Sequence, residues 1–239
     1  LKPYFLPPPS SIWSEFTGNL GLIWGAAWVS GSNAFVGLLV GTLFGVIFSF
    51  AMMRFRVLND MLTPLAIALN AVPIIVLVAV FNNMFSSTSE IPRRLMVTLV
   101  VYFIVLVNVA KGLRQVSPIH LELLRSYAAT PIEVLRKARV PNAVPYLFTA
   151  LKIAAPAAVI TAFVAEYFGG PQNGLGSRIV SNIAASRNAV VWAYVLGACL
   201  LGLVFYLVSI AMENITTPRH HATERGGNSR GSGPGGGTT

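Results

Sequence analysis

Apolar residues in this chain come in long blocks separated by short polar stretches. Between residues 16 and 53 nothing is charged, which exceeds the ~20 residues a membrane-spanning helix needs. We assign span A to 22–53 and expect it to be tilted or irregular at the polar run 30–33, SGSN. Arg54 and Arg56 close it. Later blocks predict span B at 62–85, span C at 95–110, span D at 144–168 and span E at 189–212. Span C is short, but Arg94 and Lys111 at its ends can snorkel toward the interfaces. Gly37, Gly41 and Gly45 repeat every four residues in span A. That spacing leaves one helix face bare, where a second helix can come close.

The remaining stretches punctuate this pattern. Residues 1–15, LKPYFLPPPSSIWSE, are rich in proline and predict an extended lead-in within a first segment 1–21. Trp13 and Tyr4 in it suit the headgroup boundary. FNNMFSSTSEIPRR between spans B and C reads as a polar loop, and GGPQNGLGSR between spans D and E as a glycine-rich one. Residues 216–239 are polar and glycine-rich, and predict a disordered tail.

Composition agrees with the blocks. The chain has 239 residues, 54% hydrophobic and 10% charged, against about 25% charged in soluble domains. Its mean hydropathy is +0.68. The expected fold is therefore an all-α integral membrane protein, a polytopic helical bundle with a transmembrane domain over 22–215. The net charge of +9 marks cytoplasmic loops rather than nucleic-acid binding. With 117–141 placed inside, eleven Lys or Arg lie on the cytoplasmic side and five on the other, Lys152 falling within span D. Five spans then leave the N-terminus outside, from which we expect a further span upstream of Leu1. The one cysteine, Cys199, lies in an apolar run and suits packing rather than chemistry. No secretory leader pattern is present.

One charged segment stands out among the apolar blocks: SPIHLELLRSYAATPIEVLRKARVP, residues 117–141. Ser117 before Pro118 is a helix start, a capping side chain followed by proline at the first helical position. TPIE gives a second start, with Thr130 as cap, Pro131 first and Glu133 third, the capping-box arrangement. Pro141 is expected to close the second helix. The segment thus predicts two short helices meeting at a small corner, Ala128, Ala129 and Thr130. Ile119, Leu123 and Leu124 offer an apolar strip, with Glu122 and Arg125 supplying charge. A pre-formed corner of this kind suits insertion into a groove on a partner. A loop that only fixed topology would need no such caps.

The same residues resemble the EAA loop of permease subunits of bacterial ABC importers. That pattern reads Glu-Ala-Ala, three residues, Gly, nine residues, Ile, one residue, Leu-Pro. Aligned on Pro141, it puts Glu122 at the Glu, Leu123 and Leu124 at the alanines, Ala128 at the Gly, Ala138 at the Ile and Val140 at the Leu. The Gly-to-Ala change leaves two possibilities: the corner needs no positive φ, or Ala adopts one at some cost. FLPPPSSIW, VPYLFTALKIA, VAEYFGG and GLGSRI are similar to segments of the nitrate, sulfonate and taurine branch.

The resemblance implies a type I importer permease in the bacterial inner membrane. Its six-span subunits act as a dimer. Its loop, here Glu122, Leu123, Leu124, Arg125, Ser126, Tyr127, Ala128, Ala129, Thr130 and Pro141, docks on a cytoplasmic ATPase subunit. An extracytoplasmic binding protein delivers the solute. The chain has no Gly-x-x-x-x-Gly-Lys-Ser/Thr loop, so ATP hydrolysis falls to the partner. No cofactor, metal or nucleic acid is expected, and lipids surround the spans. Candidate path residues are Asn70, Asn108 and Glu166, with Pro73 and Pro156 marking bends. Each asparagine also suits an interhelical hydrogen bond, and Glu166 an interfacial structural role. Lys152 is expected to snorkel at the inner boundary. The alternative is a secondary transporter or channel, which would leave the capped corner unexplained.

Overall fold

The computed structural model describes residues 7–55, 57, 58, 60, 61, 64, 72–85 and 89–216. All elements among them are helical: α1 (Pro9–Gly18), α2 (Leu20–Arg54), α3 (Ile74–Met84), α4 (Ile91–Arg114), α5 (Pro118–Ser126), α6 (Pro131–Val134), a π-helical turn (Leu135–Arg139), α7 (Val140–Tyr167), α8 (Leu175–Ala184) and α9 (Asn188–Thr216). Four helical stretches are long and apolar enough to cross a membrane: α2, α4, the run from Pro131 to Tyr167, and α9. They correspond to spans A, C, D and E. Of span B the described helical part is α3, whose 11 residues cover about 16 Å, too little for a crossing alone. Residues 65–71, Asn70 included, lie outside the described residues.

Four details depart from the sequence reading. The lead-in is not extended throughout: Pro8 is extended and Pro9 opens α1, because proline is tolerated in the first turn, where its missing N–H costs nothing. Helix α2 runs unbroken through 30–33. Ser30 and Asn33 bond to groups on other elements, so they do not compete for their own backbone. The stretch after Gly174, read as loop, forms α8. Pro141 does not end its helix. It sits in the first turn of α7, directly behind the π-helical turn, where Val140 donates its N–H to the Leu135 carbonyl five residues back. That wider turn takes up the misfit that proline's ring and absent donor would otherwise create.

The core is a three-helix interlock with a four-residue beat. Gly37, Gly41 and Gly45 on α2 face Val97, Val101 and Val105 on α4. A β-carbon at Gly41 would stand 2.7 Å from the Thr98 carbonyl oxygen, and one at Gly45 2.8 Å from Val105 Cβ. Only glycine permits this approach, as the spacing predicted. On α7, Ala150, Ala154, Ala158 and Ala162 are fully buried and join the same cluster as Val97, Val101, Val105 and Val109. Helix α9 lays Leu201 and Phe205 against that cluster, and is the least buried of the four spans. A second cluster, toward the α1 end, joins α2, α8 and α9 through Ile23, Ala26, Leu175, Ile179, Ala193 and Tyr194.

Candidate functional site

The segment between α4 and α7 forms a projecting elbow. Its first arm, α5, starts at Pro118 as expected, although the Ser117 side chain makes no capping bond. Its second arm starts with the complete capping box. The Thr130 N–H donates to Glu133 Oε2 at 2.8 Å, and the Glu133 N–H donates to Thr130 Oγ1 at 3.3 Å. Lys137 adds an exposed ion pair with Glu133 at 3.3 Å.

The corner resolves the question left by Ala128. The Ala128 N–H donates to the Arg125 carbonyl at 2.9 Å and the Ala129 N–H to the Leu124 carbonyl at 3.0 Å. This is the left-handed helix cap in which glycine is the usual residue. Ala128 has φ 52°, so alanine here occupies a conformation that costs L-residues roughly 1–2 kcal/mol. The positive φ is required, and alanine adopts it.

The polar groups of the second cap are satisfied locally, whereas the elbow's apolar side chains are not covered. Ile119, Leu123, Tyr127 and Ile132 are 74%, 51%, 76% and 75% exposed. Ile119, Leu123 and Tyr127 are four apart and share a face of α5. Leu124, expected in this strip, is half-buried instead, while Glu122, Arg125, Ser126 and Thr130 are exposed.

Both arms are clamped at their base. Carbonyls near the end of α4 lack helical partners and receive donors from the other arm: Asn142 Nδ2 bonds the Gly112 and Gln115 carbonyls at 2.7 and 3.1 Å. Arg139 reaches the Leu113 carbonyl at 3.4 Å, and Tyr146 Oη donates to Gln115 Oε1 at 2.8 Å. The elbow therefore belongs to α4 and α7 together.

At the opposite end of the bundle lies a polar network the sequence reading did not assemble. Arg93 is 1% exposed. It donates to Glu90 Oε2 at 2.8 Å, to Asn173 Oδ1 at 3.0 Å and to the Pro171 carbonyl. Asn33 and Asn173 donate to Glu90 at 2.8 and 2.9 Å, and Arg94 donates to Asn33 at 3.0 Å. Burial alone would push the Glu90 carboxyl up. The hydrogen bonds from Asn173 and Asn33, with the Arg93 guanidinium, outweigh it and hold the carboxyl below the usual range. Glu166 is also 1% exposed and accepts from Ser30 Oγ at 2.7 Å and from the Gly176 N–H at 3.0 Å. A β-carbon on Gly174 would overlap its carboxylate. The signal available in the sequence was polar residues at the ends of apolar blocks: SGSN, EIPRR and PQNG.

The other candidates are dispersed. Asn108 donates to its own helix, to the Ile104 carbonyl at 2.7 Å. Pro156 is half-buried inside α7. Pro73 does not kink a span; it is the residue before α3 and marks that helix's start. Lys152 does not simply snorkel: it pairs with Glu213 on α9 at 2.8 Å.

Comparison with known proteins places these features. Residues 37–221 match the family model described as binding-protein-dependent transport system inner membrane component. A probable ABC transporter permease protein of Haemophilus influenzae is 27% identical over 203 residues, 85% of this chain and 82% of its own. The formylaminopyrimidine transport permease protein ThiX of Halalkalibacterium halodurans is 29% identical, over 77% of this chain and 72% of its own. The taurine transport system permease protein TauC of Escherichia coli is 23% identical, over 92% and 82%. Among solved structures, an inward-facing form of the MetNI methionine ABC transporter superposes with a TM-score of 0.69 at 17% identity, covering 84% of this chain and 98% of that one. A chain of an amino acid ABC transporter gives 0.67 at 14% identity, over 83% and 96%. The two structures share the fold.

Proposed function

The chain belongs to the family of inner membrane components of binding-protein-dependent transport systems, and on that premise we propose that its elbow is the surface through which a separate cytoplasmic ATPase drives solute import. One observation carries the reading: a pre-formed corner, capped on both sides and clamped at its base, exposes Ile119, Leu123, Tyr127 and Ile132. Apolar anchors on a rigid projection fit a groove on a partner. The cost of ordering the elbow has been met before docking.

In this reading the chain is the non-catalytic membrane subunit, multi-pass in the inner membrane. It works with a second permease copy, an ATPase subunit carrying the phosphate loop, and an extracytoplasmic solute-binding protein. Closure of the ATPase pair on ATP displaces the elbow, and the spans re-tilt to open the path alternately. Asn70, Asn108 and Glu166, with Pro73 before α3 and Pro156 inside α7, are the path elements of this reading. Two of the named relatives are permeases for formylaminopyrimidine and taurine transport, which points to a small polar solute. The test is co-expression with the cognate ATPase subunit. The wild type co-purifies with it and stimulates ATP turnover. Ala128→Trp inserts normally but loses stimulation. Normal coupling in that variant, or solute flux into vesicles holding this chain alone without ATP, overturns the reading.

A further inference from the structure

The ion pair between Lys152 and Glu213 lies where two membrane helices meet, and nothing above gives it a task. Lys152 stands 12 residues into α7, counting from Val140, about 18 Å beyond the elbow's base. Its Nζ is 2.8 Å from one Glu213 carboxylate oxygen and 2.9 Å from the other. The two side chains are 30% and 27% exposed, so the pair is largely withdrawn from solvent in an apolar setting. Charges there are retained only with a partner, and removing one member leaves the other stranded.

The mechanical context gives the pair its meaning. Helices α2, α4 and α7 are locked by the glycine, valine and alanine seams, and the elbow is clamped to α4 and α7. Displacing the elbow therefore displaces that block. Helix α9 stands outside these seams in its Glu213 half: Ala193 and Tyr194 pack with Ile23 and Ala26 of α2 at its other end, Leu201 and Phe205 touch the block as partly buried side chains, and much of the rest of α9 faces away from the bundle. Apolar contact of that kind lets helices slide, because one lipid-like surface is exchanged for another. A charge-assisted bond between fixed points does not slide.

We propose that Lys152 and Glu213 are positioning residues that tie α9 to the elbow-bearing block, so that nucleotide-driven movement of the elbow reaches the last span. This rests on the reading of the elbow as the ATPase contact.

The test uses the chain assembled with its ATPase subunit in nanodiscs, with ATP and vanadate as the driving ligand, so no solute need be known. Cys199 is the one cysteine, lies on α9 and is exposed, which makes it a native attachment point for a spin label. A second label at Arg136→Cys, exposed on the second arm and outside the apolar strip, with Cys199 replaced by Ser, reports the elbow. In the wild type both labels respond to nucleotide. Lys152→Glu or Glu213→Lys alone should cut the response at Cys199 about fivefold, the size of coupling common between contacting residues, and leave the elbow response intact. Lys152→Glu with Glu213→Lys should restore it. If a single reversal does not insert, Lys152→Gln with Glu213→Gln replaces it, breaking the bond without stranding a charge; it too must lose the Cys199 response. A Cys199 response unchanged by breaking the pair, or not restored by the double reversal, overturns the proposal. Failure of the wild-type chain to bind the ATPase, or of the elbow label to respond, overturns the reading beneath it instead.

Discussion

The two ends of this bundle treat their polar and apolar groups in opposite ways. At the end carrying Arg93 and Glu166, charges are sunk below the surface and bonded to neighbours from α2, α4, α7 and the loop before α8. At the elbow the charges are exposed, Glu133 pairing with Lys137, and the uncovered groups include large apolar ones: Ile119, Leu123, Tyr127 and Ile132. The first end is buried, with Arg93 Nε and Glu166 Oε1 left without a hydrogen-bond partner among the described residues. The second is complete in its backbone and incomplete in its surface. On the proposed reading of the elbow, stability and partnership are divided between the two ends, and substitutions at each should fail in different ways.

The largest effect is expected from Arg93→Ala. It leaves Glu90 with Asn33 and Asn173 but no cation, and removes the donor to Asn173 Oδ1 and the Pro171 carbonyl; losing one member of a buried ion pair costs about 3–5 kcal/mol at most here, since Glu90 is 24% exposed. Thermal unfolding in detergent should show a large drop in Tm, with ATPase binding preserved in whatever chain remains folded. Gly41→Leu comes next. It drives a side chain into Thr98 and Val101 of α4, and overpacking of this kind costs about 1–3 kcal/mol; the same unfolding assay reads it.

Acidification tests the buried end more gently. The folded Glu90 carboxyl binds its proton more weakly than the unfolded one. Its contribution is therefore complete above the ordinary carboxylate range, about 4.3, and is lost as pH falls through that range and below. Melting curves from neutral to acid pH should show this loss in the wild type. Glu90→Gln should flatten it.

The elbow should give the smallest changes in stability. Thr130→Ala removes the cap at a cost of about 1 kcal/mol, visible as faster amide exchange in 132–134 and not in α4. Ala128→Gly should stabilise the corner by about 0.5–1 kcal/mol, since glycine adopts φ > 0 freely but loses more entropy on folding. Slower exchange at the Ala129 amide checks it. If these elbow variants shift the global Tm as Arg93→Ala does, the division between the ends is wrong.

Features legible in the sequence were those set by local chemistry or by one helix's periodicity. The blocks located four spanning helices, the glycine repeat announced its seam, and Thr130, Pro131 and Glu133 dictated their own capping box. What stayed hidden depended on distance along the chain. Arg93 lies 80 residues from Asn173, and Lys152 lies 61 from Glu213; no pattern within a single block pairs them. Arg93 was read as an outer-loop charge because its burial depends on four elements converging. The fate of Pro141 was missed for a different reason. A helix can pass a proline when a π turn precedes it, and a π turn has no clear signature in residue type.

The four-residue beat shared by α2, α4 and α7 also limits how this bundle can move. With glycine notches seated on valine ridges, a slip of one residue would drive side chains into backbone. Neighbouring helices are held as if by a ratchet, free to jump by a full turn or not at all. Any smooth change of shape across the membrane must therefore come from the three-helix block rocking as one piece, with α3 and the surrounding protein or lipid yielding around it.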